Sequence, residues 1–278
     1  MRRLLVVMAA LLAGGSIHAR QPAPEIRVMT SGAFTAAHLA LAVEFERREA
    51  VRVVTAATSM GTGDTSIEAR LARGETADVV IVDADALARF AGKGLVVAGS
   101  QVDLARSSIG MAVRQGAARP DISTVDALRR TLLAATSIAY SASVSGRYLS
   151  TELFQQLGIA DQVLPKSQRV VGERVGAVVA RGEAQIGFQQ VSEFVAEPGI
   201  DYVGPLPAAV QRVTVFAAGL GARARHLDPA RRYIAFLAST AAADAIAKTA
   251  LEPVVRRVPA RAGHPFDPAR QSPAGLAR

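Results

Sequence analysis

The stretch from Ile26 to Asp83 constrains the fold most. An apolar run, Ile26-Arg27-Val28-Met29-Thr30, breaks at Ser31-Gly32-Ala33 and continues with helical periodicity to about Arg48. A second run, Val51 to Ala57, breaks at Thr58-Ser59-Met60-Gly61-Thr62-Gly63; a helix-like stretch and Val79-Val80-Ile81-Val82-Asp83 follow. Strand, small-residue loop and helix thus repeat twice before a third strand. Such alternation predicts an α/β chain built on parallel sheet. Ligands of open parallel sheets bind outside the carboxyl ends of the strands, where these loops fall.

The pattern continues downstream. In the first helix Ala37, Leu41 and Phe45 share a face. Thr65-Ser66-Ile67-Glu68 has capping-box spacing, with Thr65 as the expected cap, and Gly74 is a natural stop. Strands are expected at Ile109–Arg114, Ser137–Tyr140, Ala184–Phe188 and Val213–Ala218. Helices are expected over 125–135, 147–157, 173–181, 229–237 and 241–249. From Val254 the periodicity ends among Pro259, Pro265, Pro268 and Pro273, so residues 254–278 read as an unstructured tail.

Met1–Ala19 has the three parts of an export signal: Arg2 and Arg3, the apolar run Leu4–Ala13, and a small residue, Ala19, before a cut at Arg20. A spanning helix needs roughly 20 apolar residues, so cleavage after Ala19 and a soluble periplasmic product are expected. The formal charge of +8 looks like a nucleic-acid footprint, but Arg2, Arg3 and the arginines after residue 253 supply most of it. The body is close to neutral and Trp is absent, so nucleic acid is excluded as a partner. With no Cys, thiol catalysis, thiolate metal sites and disulfides are excluded.

Catalytic signatures are sparse. Of four His, only His38 and His226 lie outside the leader and tail, and neither has a metal-ligand neighbour at helical spacing. The chain has no Gly-x-Ser-x-Gly elbow, and Gly61-Thr62-Gly63 lacks the third Gly of a dinucleotide fingerprint. No catalytic residue, metal or cofactor is therefore expected. What the chain offers is three loops of Ser, Thr and Gly at strand ends: Ser31–Ala33, Ser59–Gly63 and Ser141–Gly146. Helix-start N–H groups carry partial positive charge, and a small-residue loop lets an anion approach them. Each loop alone is ordinary capping composition; their repetition points to an anion site.

The segments Ile26-Arg27-Val28, Gly74-Glu75-Thr76-Ala77-Asp78-Val79-Val80-Ile81-Val82-Asp83-Ala84-Asp85, Ser145-Gly146-Arg147-Tyr148 and Gly182-Glu183-Ala184-Gln185-Ile186-Gly187 resemble the periplasmic molybdate-binding-protein family of ABC-transporter solute receptors. The resemblance runs from about Ile26 to Pro253. It implies a class-II periplasmic binding fold: two lobes, each a central sheet flanked by helices, joined by two crossover strands as hinge. Residues 20–106 and 216–253 would form lobe one and residues 107–215 lobe two. Ligand would sit in the cleft between them and hinge closure would bury it.

Carried over residue by residue, the family's first-loop Ser falls on Ala33, with Ser31 two residues earlier and Gly32 between. Its second-loop Ser matches Ser59, beside Met60, Gly61 and Thr62, or alternatively Asp64. Its third-loop small residue falls on Ser145, beside Ser143, Gly146 and Arg147. The fourth-loop N–H position falls on Arg174, and the ligand-contacting Tyr on Gln190. An Arg and a Gln entering the cage suit a planar carboxylate better than a tetrahedral oxyanion. Arg174 and Arg147 facing solvent is the competing reading, although an Arg at a helix N-terminus opposes the dipole and needs a partner. The expected function is capture of an organic di- or tricarboxylate by a monomeric protein that is not an enzyme and that docks on an inner-membrane permease. A molybdate or tungstate ligand, sensing for a membrane receptor, and an exported enzyme acting on a small acid are the alternatives.

Overall fold

The computed structural model describes residues 23–56, 63–195 and 197–255. The leader over 1–19, the loop residues Ser59, Met60, Gly61 and Thr62, and the tail from residue 256 lie outside them.

The elements run β1 (Glu25–Thr30), α1 (Gly32–Glu49), β2 (Arg52–Ala56), α2 (Ile67–Ala72), β3 (Val79–Asp83), α3 (Ala84–Gly92) and β4 (Val102–Ser107). The chain then crosses to β5 (Ile109–Arg114), α4 (Val125–Ala134), β6 (Ile138–Ser141) and α5 (Val144–Tyr148). A π turn at Leu149–Leu153 leads into α6 (Phe154–Gln156) and α7 (Ala160–Val163). Next come β7 (Ser167–Val170), α8 (Val175–Ala180), β8 (Ile186–Gln190), α9 (Val191–Phe194) and β9 (Ile200–Pro205). The chain returns through β10 (Thr214–Leu220) and ends in α10 (Leu227–Leu237), α11 (Thr240–Ala247) and β11 (Glu252–Pro253).

Two sheets result. The first has order β11-β4-β10-β3-β1-β2 and the second β7-β6-β8-β5-β9. β1 lies parallel to β2 and β3, and β6 parallel to β7 and β8. The crossing strands β10 and β5 pair antiparallel with their neighbours. Successive strand residues face opposite sides, and both sides of the first sheet are covered. Ile26, Val28, Val79 and Ile81 pack under α1, α10 and α11. Met29, Val80 and Val82 pack against Ile67, Leu71, Leu87 and Phe90 of α2 and α3. Double coverage is why these strands read as continuous apolar runs. The second sheet repeats the plan, with Leu128, Leu149, Phe154 and Val163 on one face and Val175, Val178 and Val179 on the other.

Three local expectations are corrected. The helix expected over 147–157 begins at Val144 and is broken by the π turn. The cap of α2 is Ser66, whose Oγ accepts from Ala69 N at 3.2 Å, and not Thr65. Glu68 does not reach back to close a box; it accepts from Lys93 Nζ at 2.6 Å.

Candidate functional site

Four segments that follow parallel strands converge between the two sheets. From the first sheet come Ser31, Gly32 and Ala33 after β1, and Asp83, Ala86, Arg89 and Phe90 at the end of β3 and along α3. Ile67, Glu68 and Phe216 complete that wall. The second sheet supplies Ala142, Ser143, Val144 and Arg147 after β6, and Gln190 and Glu193 at the end of β8 and on α9. They enclose a cleft of about 130 Å³.

The first-sheet wall offers backbone donors. α1 is 18 residues long, and its cap Ser31 makes no side-chain bond to the first turn. Its dipole therefore presents unneutralised positive charge at Gly32 and Ala33. The Ser31 Oγ is covered by protein and bonds to nothing among the described residues. At α3 the situation is reversed: Asp83 Oδ1 accepts from Ala86 N at 2.9 Å, so a carboxylate already caps that helix.

The opposite wall holds a triangle of hydroxyls. Ser141 Oγ lies 2.7 Å from Ser143 Oγ and 2.9 Å from Ser145 Oγ, and the last two are 3.3 Å apart. Gly146 makes the turn feasible, since a Cβ there would lie 1.6 Å from the Ser141 carbonyl oxygen. Of the expected third-loop residues, Ser143 and Arg147 face the cleft, whereas Ser145 and Gly146 are buried behind it. Arg147 and Arg89 line opposite walls and form no ion pair among the described residues, although the carboxylates of Glu68 and Asp83 share the cleft with them.

Gln190 lines the cleft at the end of β8. Its Nε2 donates to Thr214 Oγ1 at 2.9 Å, bridging the ends of β8 and β10, while its Oε1 is buried without a partner. Arg174 is placed differently: it does not line the cleft. It caps α8, and its guanidinium pairs with Glu197 at 3.4 Å, which is the partner an arginine at a helix start requires.

The residue that sequence reasoning passed over is Glu193, which is only 2 % exposed. Burial pushes its carboxyl up to about 8, because the ion loses its hydration; the nearby Arg174 charge and the Gln189 amide pull the other way. Its Oε1 has no hydrogen-bond partner among the described residues. Glu68, Asp83 and Arg89 were also passed over. Each was hidden for one reason: nothing in a single chain tells which charged side chain a second lobe covers. The only signal at Glu193 was a carboxylate inside Val191-Ser192-Glu193-Phe194-Val195, directly after a strand. Among the described residues no cluster of three or more His, Asp or Glu is placed to hold a metal ion.

Two sheets with a ligand-sized cleft at their carboxyl ends, joined by two crossings, define the two-lobed periplasmic binding fold. The chain belongs to the bacterial extracellular solute-binding protein family, whose sequence profile matches residues 26–251. An aconitate isomerase from a Pseudomonas species is 43% identical over 251 residues, spanning 90% of this chain and 96% of its own. Among solved structures, the substrate-binding protein of an ABC transporter from Agrobacterium tumefaciens superposes with a TM-score of 0.66 at 16% identity, covering 85% of this chain and 81% of its own. The periplasmic molybdate-binding protein of Azotobacter vinelandii gives a TM-score of 0.64 at 18% identity, with coverages of 81% and 98%.

The isomerase relative overturns the expectation that this chain is not an enzyme. That expectation rested on missing His, Cys and nucleophile patterns.

Proposed function

We propose that the protein binds an unsaturated tricarboxylate of the aconitate type in the cleft and interconverts its cis and trans forms. The observation that carries this reading is the placement of two arginines without ion-pair partners among the described residues, Arg89 and Arg147, on opposite walls of a cleft that also holds a protonatable carboxyl. A molecule with three carboxylates needs charge-assisted donors on more than one side. The Gly32 and Ala33 N–H groups and the Ser31 and Ser143 hydroxyls supply further donors. The 43% identical isomerase supports the substrate class.

A carbon–carbon double bond does not rotate under a protein's forces, and the chain has no Cys to add across it, so the route proposed here is breaking and remaking a C–H bond. In a propene tricarboxylate the methylene hydrogens are acidic, because the anion left behind spreads over three carbons and the attached carboxylates. Protonating the far end of that system moves the double bond, and the new bond can form in either geometry. Positive groups around the carboxylates lower the barrier by holding the charge as it develops. With the export segment expected over residues 1–19, the reaction would run in the periplasm.

The test is to incubate the full chain with trans-aconitate and follow the product by proton NMR. Appearance of cis-aconitate is expected, together with a thermal shift; ligand at 100 times its dissociation constant adds about 2.7 kcal/mol of stability. Capture for a membrane permease is the second reading, favoured by family membership. Tight binding of either isomer without turnover would select it. Mass spectrometry of the exported protein checks the leader: a chain still carrying Met1 would argue against periplasmic release.

A further inference from the structure

We infer that Glu193 is the catalytic residue that carries the proton in this reaction, taking it from one carbon of the bound tricarboxylate and returning it to another. The inference rests on the tricarboxylate reading above. Its own support is positional. Glu193 lines the cleft and is almost wholly buried, and its Oε1 makes no hydrogen bond of ordinary geometry among the described residues, the Gln189 amide being its nearby polar neighbour.

The other candidates for a base are occupied. Asp83 Oδ1 caps α3 through Ala86 N. Glu68 is paired with Lys93. His38 lies behind the wall, with one ring nitrogen on Thr55 Oγ1 at 2.8 Å and the other on the Tyr233 hydroxyl at 2.7 Å. The Ser31 and Ser143 hydroxyls are far too weakly basic to remove a proton from carbon unaided. Among the described cleft residues Glu193 is the carboxyl that is almost wholly buried and serves neither as a helix cap nor in an ion pair.

Five buried side-chain polar atoms lack partners among the described residues: Ser31 Oγ, Gln189 Nε2, Gln190 Oε1, Ser192 Oγ and Glu193 Oε1. Four belong to the segment 189–193. Buried polar groups are normally satisfied, and a local run of exceptions marks a place where another molecule supplies the partners. Ser31, Gln190 and Glu193 all belong to the cleft lining, so three of the five exceptions lie on residues of its two walls.

The chemistry balances within the site. The Glu193 carboxylate takes a proton from the methylene carbon, and the C–H electron pair enters the three-carbon system. The original double bond becomes part of a delocalised anion, whose charge Arg89 and Arg147 hold through the carboxylates. The Glu193 carboxyl then returns its proton to the carbon at the opposite end. One C–H bond is broken, one is made, the double bond moves by one position, and Glu193 ends as the carboxylate that began. No electrons are gained or lost. Burial suits this role, because a desolvated carboxylate is a stronger base than one in water and keeps its proton from solvent until it is returned.

Glu193→Gln keeps the size and shape of the side chain and removes the base. With cis- and trans-aconitate as probes, binding is measured by calorimetry, turnover by NMR, and methylene hydrogen exchange in D2O. Binding within about threefold of the parent, with turnover down at least about a hundredfold and exchange lost, is expected. Glu193→Asp, which moves the carboxyl back by one carbon, should keep a small fraction of the rate and serves if the Gln variant does not fold. Turnover of Glu193→Gln within tenfold of the parent would overturn the assignment while leaving the tricarboxylate reading intact. Failure of the unmodified protein to bind or convert either isomer would remove the reading and the inference together.

Discussion

Two buried polar clusters sit on either side of the cleft and are built on opposite terms. In the first lobe, His38 is wholly buried, yet both ring nitrogens are engaged, by Thr55 and by Tyr233. Tyr233 also packs edge-on against Phe45 with ring centroids 4.8 Å apart. In the second lobe, the segment from Gln189 to Glu193 is just as buried and leaves four polar atoms without partners among the described residues. An unmet buried donor or acceptor costs about 1–3 kcal/mol. The difference teaches where the molecule holds itself together and where it holds something else. A satisfied polar cluster fixes the fold; an unsatisfied one is strain kept at a site.

The largest test of that contrast is Glu193→Gln read as stability. A carboxyl raised from 4.5 to about 8 stays protonated in the folded chain while the unfolded chain ionises. Its contribution is intact below pH 4.5 and is lost as pH rises through 8, a change on the order of several kcal/mol. The Gln variant cannot ionise, so its melting temperature should exceed the parent's by a margin that widens from pH 5 to pH 8. A constant margin would mean that Glu193 ionises freely. For kcat/KM the sign is opposite: the base form is needed, so the rate should climb towards a plateau above pH 8.

His38→Leu should give the reverse profile. Removing the ring strands the Tyr233 and Thr55 hydroxyls and should cost about 2–4 kcal/mol in urea unfolding at pH 7, with turnover per folded molecule unchanged. In the parent, burial holds His38 down to about 4. The unfolded chain takes up a proton first, so this cluster's contribution is full above pH 6.5 and declines as pH falls towards 4. A cost of His38→Leu that stays the same at pH 7 and pH 5 would contradict it.

Arg147→Ala should weaken aconitate binding by roughly ten- to a hundredfold, the worth of a charge-assisted bond of about 1.5–3 kcal/mol. Arg174→Ala should act differently. Its charge lowers the Glu193 carboxyl, so its removal should shift the kcat/KM profile to higher pH with affinity nearly unchanged. Equal losses of affinity in the two variants would put Arg174 on the ligand. Ser31→Ala, deleting one neutral donor, should cost the least, only a few-fold in affinity.

Much of this geometry was legible from strand and loop order. The strand-and-loop pattern placed Ser31–Ala33 and Ser143 at strand ends, and the family resemblance pointed to Arg147 and Gln190; these residues line the cleft. What escaped depended on contacts between distant segments. Arg174 at a helix start demanded a partner, but sequence could not choose between a ligand and Glu197, 23 residues downstream. Glu68 fitted a capping box locally until Lys93, 25 residues away, claimed it. β7 is short and mostly exposed, with Gln168 and Arg169 in its middle, so no apolar pattern announced it. Glu193 stood in plain view, yet its burial depends on the packing of α9 against α1 from the other lobe.

The strand order of the first sheet also sets a sequence of assembly. β10 lies between β3 and β4, and pairs with both. Before residues 214–220 are in place, β1, β2 and β3 form one ribbon and β4 has only the two-residue β11 as a neighbour in that sheet. The second sheet draws all its strands from residues 109–205, an unbroken span with shorter loops to close. Insertion of β10 is therefore the step that joins the halves of the first lobe, and it brings together residues more than a hundred positions apart. Pulse-labelled hydrogen exchange during refolding should find β5, β6 and β8 protected before β4 and β10. Simultaneous protection would mean that the late strand is captured from the outset.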